Sequence, residues 1–212
     1  MNRPLALLAA LALLAGCGEA PPARAPAAET KASMPAPRPV PDVARVRLET
    51  EAGAIVVELD GRHAPVTTAN FLAYVDQHRF DGTSFYRASR TEGAPTRGFV
   101  QGGIRRDYRR MLAPIAHEPT SATGLRHRAG TISMARGETG AMGNFFITTA
   151  SMPAMDARGR EQGYAAFGRV VEGMDVVRHI LAAPTDPRAG SGAMRGQMLA
   201  APVRIVRASR VE

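Results

Sequence analysis

The sequence predicts a mainly β fold, a closed barrel carrying two α-helices. Three observations lead there: short alternating segments recur from Val46 to Ala208, only two stretches have helical spacing, and glycine-rich loops separate the remainder. Many short strands with few helices favour closure, because a closed barrel leaves no unpaired edge.

The first strands are the clearest. Val46 and Leu48 alternate with Arg45, Arg47 and Glu49. After a turn at Glu51-Ala52-Gly53, Ile55, Val57 and Leu59 take one face, and Glu58 and Asp60 share the other with Val56. This is the pattern of a β-hairpin. Pro65 suits the first turn of a helix whose Phe71, Leu72 and Val75 lie on one side. Further strands are expected over residues 83–87, 99–101, 131–135, 144–149 and 165–170. A second helix over residues 174–181 follows from the spacing of Met174, Val177, Ile180 and Leu181, and stops near Pro184. A last strand, residues 203–208, comes after a Pro/Gly-rich loop over residues 184–202.

The front of the chain has a different character. Asn2-Arg3 is a short positive region and residues 5–15 an apolar core, the pattern of a signal peptide over residues 1–17. That core is too short to span a bilayer. Leu14-Ala15-Gly16-Cys17 resembles the bacterial lipobox, which implies cleavage before Cys17 and lipidation of its thiol. Cys17 is the sole cysteine, so no disulfide forms within the chain. Residues 18–42 are rich in alanine and proline and read as a disordered tether of polyproline II character, leaving residues 43–212 as the folded domain. The expected location is a bacterial cell envelope, lipid-anchored with the domain in the periplasm. Gly18 in place of an aspartate favours the outer membrane over the inner.

The formal net charge is +8 over 212 residues, and Lys31 is the only lysine. The arginines are scattered, with no basic run interleaved with aromatics, so nucleic acid is not expected as a partner. A basic surface suits proximity to anionic lipid. A monomer is expected.

Three segments hold the chemistry: Phe85-Tyr86-Arg87, Gly98-Phe99-Val100-Gln101-Gly102-Gly103 and Asn144-Phe145-Phe146. Each sets an aromatic beside a group able to hydrogen-bond a peptide, and none supplies a nucleophile. Arg87 is the permanent charge in the set, since a guanidinium does not deprotonate near neutral pH. No serine or cysteine has a triad-like setting, and His63, His78, His127 and His179 are isolated along the sequence. No metal or cofactor is expected. Such a set is poorly equipped for hydrolysis and well equipped to hold a peptide and stabilise a twisted amide.

These segments sit within a longer match. Phe80-Asp81-Gly82-Thr83-Ser84-Phe85-Tyr86-Arg87 resembles the cyclophilin signature Y-x-G-x-x-F-H/Y-R, and Gln101-Gly102-Gly103 the family's QGG. Ile132-Ser133-Met134-Ala135 is similar to LSMA, Asn144-Phe145-Phe146-Ile147-Thr148 to SQFFI, and residues 167–174 to FGKVxEGM. The order and spacing agree from about Val43 to the C-terminus. The resemblance implies an eight-stranded antiparallel barrel capped by two α-helices. It also implies a peptidyl-prolyl cis-trans isomerase acting on proline-containing peptides and, given the address, on unfolded exported proteins.

Carried over residue by residue, the resemblance makes Arg87 catalytic, with Gln101 and Phe146 as its groove partners. It puts Ala135, Met155 and Tyr164 around the proline ring, and Phe99 where the family has a methionine. Asn144 replaces a glutamine, and Arg136 an asparagine whose main chain clamps the peptide. Gly98 stands where the family has a pocket phenylalanine, which leaves Phe99 to refill that space or the pocket shallower. The short loop before Gln101 and the bulk of Arg136 keep a rival reading open: a proline-peptide-binding chaperone or scaffold lipoprotein with weak or no isomerase activity. Strict alternation sets Thr83, Phe85 and Arg87 on one face, although Phe85 is also read as core and Arg87 as groove.

Overall fold

The computed structural model describes residues 39–105, 107–137 and 140–211. The expected signal peptide, Cys17 and nearly all of the tether lie outside the described residues. Strands β1 (Val43–Thr50) and β2 (Gly53–Asp60) form the first hairpin. The helix α1 (Pro65–Asp76) leads to β3 (Ser84–Thr91) and β4 (Ala94–Gly103). After the single-turn α2 (Thr120–Thr123) come β5 (Thr131–Gly137), β6 (Gly140–Thr148) and β7 (Ala165–Glu172). Helix α3 (Met174–Ala182), the two-residue β8 (Thr185–Asp186) and β9 (Met198–Val211) complete the order.

The sheet runs β1-β2-β7-β5-β6-β4-β3-β9, and a β1–β9 pairing closes it into an eight-stranded antiparallel barrel, with β8 attached to β9 outside the ring. In the first hairpin Val46 faces Val57 and Leu48 faces Ile55 across the pair, and all four are fully buried. Their neighbours Arg45 and Arg47 are exposed, so the alternation in the sequence maps onto inside and outside.

The barrel interior is filled by aromatic rings from four elements. Phe145 on β6 meets Phe71 of α1 at 5.4 Å, Phe80 at 5.4 Å and Phe85 of β3 at 5.6 Å between centroids. Phe71 also touches Phe167 of β7 at 5.3 Å. Each such burial contributes about 1.5–3 kcal/mol. Helix α1 starts without a capping side chain at Ala64. Instead, the Glu118 carboxylate accepts the N–H groups of Val66 and Thr67 at 3.1 and 2.7 Å, satisfying donors the first turn leaves open. At the far end of α3, Arg90 donates to the carbonyls of Leu181 and Ala183.

One local irregularity decides where the groove lies. Phe85 pairs with Gly102 and Arg87 with Gln101, so Tyr86 is an extra residue in β3, a β-bulge. Phe85 and Ala88 therefore both point into the core, while Tyr86 and Arg87 stand outside it. Strict alternation misassigns this strand: Phe85 and Arg87 are on opposite faces, because the inserted residue resets the period. Nearby, Gly98 pairs with Arg90 at φ 151°, and a Cβ there would lie 1.9 Å from the Ser89 carbonyl oxygen. No side chain fits, so the position that resembles a pocket phenylalanine is closed by backbone.

Candidate active site

Outside the bulge, Arg87 is half-buried and held by two glutamines. Its Nε and one terminal nitrogen donate to Gln197 Oε1 at 2.9 and 2.7 Å, and the other terminal nitrogen donates to Gln101 Oε1 at 2.9 Å. The guanidinium carbon lies 5.0 Å from the centroid of Phe99, a cation–π distance. Burial pulls the guanidinium below its ordinary pKa, partly offset by Tyr86 and Tyr164. It stays charged at neutral pH all the same. A guanidinium has more N–H donors than these bonds use, so some remain for a bound peptide.

The glutamine extends the network. Gln101 Nε2 donates to the Tyr86 hydroxyl at 2.9 Å, and that hydroxyl donates to Asn144 Oδ1 at 3.3 Å. Burial pushes Tyr86 up to about 12, against the pull of Gln101, Arg87 and Arg105, so the phenol keeps its proton as this chain requires. Asn144 Oδ1 also accepts the backbone N–H of Arg105 at 2.6 Å. The amides of Gln101 and Asn144 are thus engaged within the protein, where they orient Arg87, Tyr86 and Arg105.

The apolar wall is layered. Phe146 is only 2% exposed and forms a floor, with Phe99 at 5.2 Å and Tyr164 edge-on at 5.3 Å. The Gly98 position itself is filled by the Ser89 carbonyl, so Phe99 supplies the aromatic face beside Phe146. Ala135, Met155 and Tyr164 are half-buried beside it, and the Met155 carbonyl accepts the Tyr164 N–H at 3.0 Å, which fixes that loop. Arg136 is exposed, its guanidinium 6.0 Å from the centre of the Tyr164 ring.

Two groups were not legible in the sequence as site residues. Gln197 belongs to the Pro/Gly-rich loop before the last strand, and nothing in its neighbourhood marks it; its backbone carbonyl also accepts the Ala88 N–H at 2.9 Å. The second is His127, which is not isolated. Its ring lies parallel to Phe146, 5.8 Å away with 12° between planes, on the buried side of the floor. Nδ1 faces Asp156 Oδ1 at 2.7 Å and Nε2 faces Ser133 Oγ at 3.0 Å.

A carboxylate only accepts, so neutral His127 carries its proton on Nδ1 and receives the Ser133 hydroxyl at Nε2. The connectivity is that of a hydrolase triad, contrary to the sequence reading. Yet Ser133 has no exposed surface and His127 is 1% exposed, so no substrate reaches them. The trio braces Phe146.

Burial lowers the His127 pKa below its ordinary 6.5, with Asp156 pulling the other way. Below 6.5 the unfolded chain therefore holds a proton that the folded one resists, and folding stability falls as the pH drops from 6.5 toward the lowered value. Denaturant titrations from neutral to mildly acidic pH are expected to show a steeper loss for the wild type than for His127→Gln. Parallel curves would contradict this.

Comparison with known proteins places these features in a family. The model of cyclophilin type peptidyl-prolyl cis-trans isomerases matches residues 45–209. The chain is 38% identical over 145 residues to peptidyl-prolyl cis-trans isomerase A of Dickeya dadantii, covering 66% of this chain and 73% of that one. It is 37% identical over 150 residues to an isomerase of Streptomyces antibioticus, covering 68% and 87%. A crystal structure of a Cryptosporidium parvum cyclophilin type isomerase, obtained in the presence of the dipeptide Ala-Pro, superposes with a TM-score of 0.62 at 21% identity. It covers 79% of this chain and 99% of that one. From the family match and the closed barrel together, the chain belongs to the cyclophilin-type peptidyl-prolyl cis-trans isomerases.

Proposed function

We propose that the groove binds X-Pro segments of unfolded exported and envelope proteins, and that Arg87 accelerates rotation about the prolyl amide. The observation carrying this reading is a half-buried guanidinium oriented by two neutral amides over an aromatic floor. Uncatalysed rotation faces a barrier of about 18–20 kcal/mol, which is the resonance lost when the amide twists. Twisting pyramidalises the prolyl nitrogen and leaves it a lone pair. A fixed N–H donor that meets this lone pair, or the neighbouring carbonyl, favours the twisted form over either planar one. That is differential binding of a transition state. Neither a nucleophile nor a general base is needed. Glutamine oxygens orient the guanidinium without neutralising it, so its full field reaches the substrate. The proline ring rests on Phe99, Ala135, Met155 and Tyr164, above Phe146. The structurally similar isomerase obtained in the presence of Ala-Pro is in line with a proline-containing ligand here.

The site of action follows from the chain's first residues. Lipidation of Cys17 would hold the domain in the periplasm through acyl chains, each buried methylene contributing about 0.8 kcal/mol. Residues 18–42 would give it reach, at about 3.1 Å per residue if extended as polyproline II. Gly18 favours the outer membrane.

Two experiments test this. Exchange NMR of a blocked Ala-Pro peptide with the full chain should give rotation well above the uncatalysed rate, and Arg87→Ala should lower kcat/KM about 10²–10³-fold, as loss of one oriented donor does elsewhere. Equal rates for the two proteins would remove Arg87 from the mechanism. Labelled palmitate should enter the wild-type chain in bacterial cells and be absent from Cys17→Ser. Incorporation by the variant, or by neither protein, would refute the anchor.

A further inference from the structure

The groove has an arginine at each end as well as at its centre. From one end the contacts run continuously: Arg105 lies 5.4 Å from the Tyr86 ring centre, and Tyr86 bonds Gln101, which bonds Arg87. Arg87 rests on Phe99, Phe99 on Phe146, Phe146 on Tyr164, and Arg136 lies over Tyr164 at the other end. Both terminal arginines are exposed, each with its guanidinium carbon over the ring of a tyrosine that belongs to the site. Such stacking fixes a guanidinium without consuming its charge.

Arg105 is also placed at a conformational cost. It adopts φ 56°, a left-handed backbone unusual for a residue with this side chain. The Asn144 amide oxygen holds it there through the backbone N–H at 2.6 Å. Backbone strain of this kind persists only where surrounding structure enforces it. Here that structure is a groove residue.

Among the described residues, no carboxylate forms an ion pair with any of the three arginines. The ion pairs made by arginine among these residues link Arg45 and Arg169 to Glu58, Arg47 to Glu49, Arg110 to Asp107, Arg126 to Asp156 and Arg210 to Asp76. None involves Arg87, Arg105 or Arg136. A peptide crossing the groove therefore meets an exposed guanidinium on both sides of its proline, and no described carboxylate pairs with either. We propose that the isomerase selects X-Pro segments flanked by acidic residues, with Arg105 and Arg136 as the specificity-determining cations. The inference rests on the peptide-binding reading of the groove given above.

The test uses the full chain and blocked peptides of one sequence, with Glu, Gln or Lys flanking a central Ala-Pro on both sides. Dissociation constants come from titration and kcat/KM from exchange NMR, at low ionic strength and again at about 0.3 M salt, where exposed pairs are largely screened. The Glu peptide should exceed the Gln peptide about threefold for each flank, the range of exposed charge pairs, and the Lys peptide should fall below both. Added salt should compress the series. Arg105→Gln and Arg136→Gln should each reduce the Glu-to-Gln ratio, and the double variant should bring it close to one.

Equal Glu and Gln values in both binding and turnover would overturn the proposal. Rapid turnover independent of peptide charge would leave the isomerase reading intact and sink this inference alone. Charge-selective binding with only uncatalysed rotation would do the reverse.

Discussion

A single extra residue in β3 determines what this barrel can do. Tyr86 interrupts the two-residue period, so Phe85 enters the core against Phe145 while Arg87 emerges one step later on the outer wall. Without the bulge, Arg87 would follow Phe85 inward. A guanidinium among Phe71, Phe80 and Phe145 would be a buried charge with no partner, which interiors do not tolerate. The bulge also gives Tyr86 a place beside Arg87, and its hydroxyl links Gln101 to Asn144. The groove's polar network therefore hangs on one insertion in one strand.

What the network accomplishes is orientation without neutralisation. A carboxylate beside Arg87 would hold it more tightly, yet it would also satisfy the charge that the proposed mechanism directs at the twisted amide. Gln197 and Gln101 supply oxygens with no formal charge, and Phe99 supplies a face. Beneath them Phe146 cannot tilt freely, since His127 lies parallel behind it and is fixed by Asp156 and Ser133. Fixed dipoles around a developing charge need no reorganisation as the reaction proceeds. The fold contributes this by setting Arg87, Phe99, Gln101 and Phe146 on paired strands, with Gln197 reaching Arg87 from the loop before β9.

The sequence revealed the parts of this that depend on period and order. Alternation from Val46 to Leu59 marked the first hairpin, and the i, i+3, i+4 spacing after Met174 marked α3, because those patterns are imposed directly by burial. The groove strands were visible through their motifs. Hidden features were those set by contacts between distant segments. The Tyr86 bulge leaves no mark in composition, so strict alternation put Phe85 and Arg87 on one face. Gln197 is 110 residues from Arg87, in a stretch readable only as a loop. His127 and Asp156 are separated by 29 residues, and only the folded chain shows that they meet under Phe146. Arg105 looked like one of many scattered arginines until the backbone showed its left-handed turn against Asn144.

The central claim is that catalysis depends on a guanidinium held in place by neutral amides. A double-mutant cycle on kcat, combining Gln197→Ala with Arg87→Ala in the full chain, tests it most directly. The account predicts that Gln197→Ala lowers kcat about tenfold when Arg87 is present, the scale of a lost hydrogen bond to a charged group, and has no further effect once Arg87 is alanine. Equal losses in both backgrounds would show that Gln197 acts independently of Arg87 and would contradict the account.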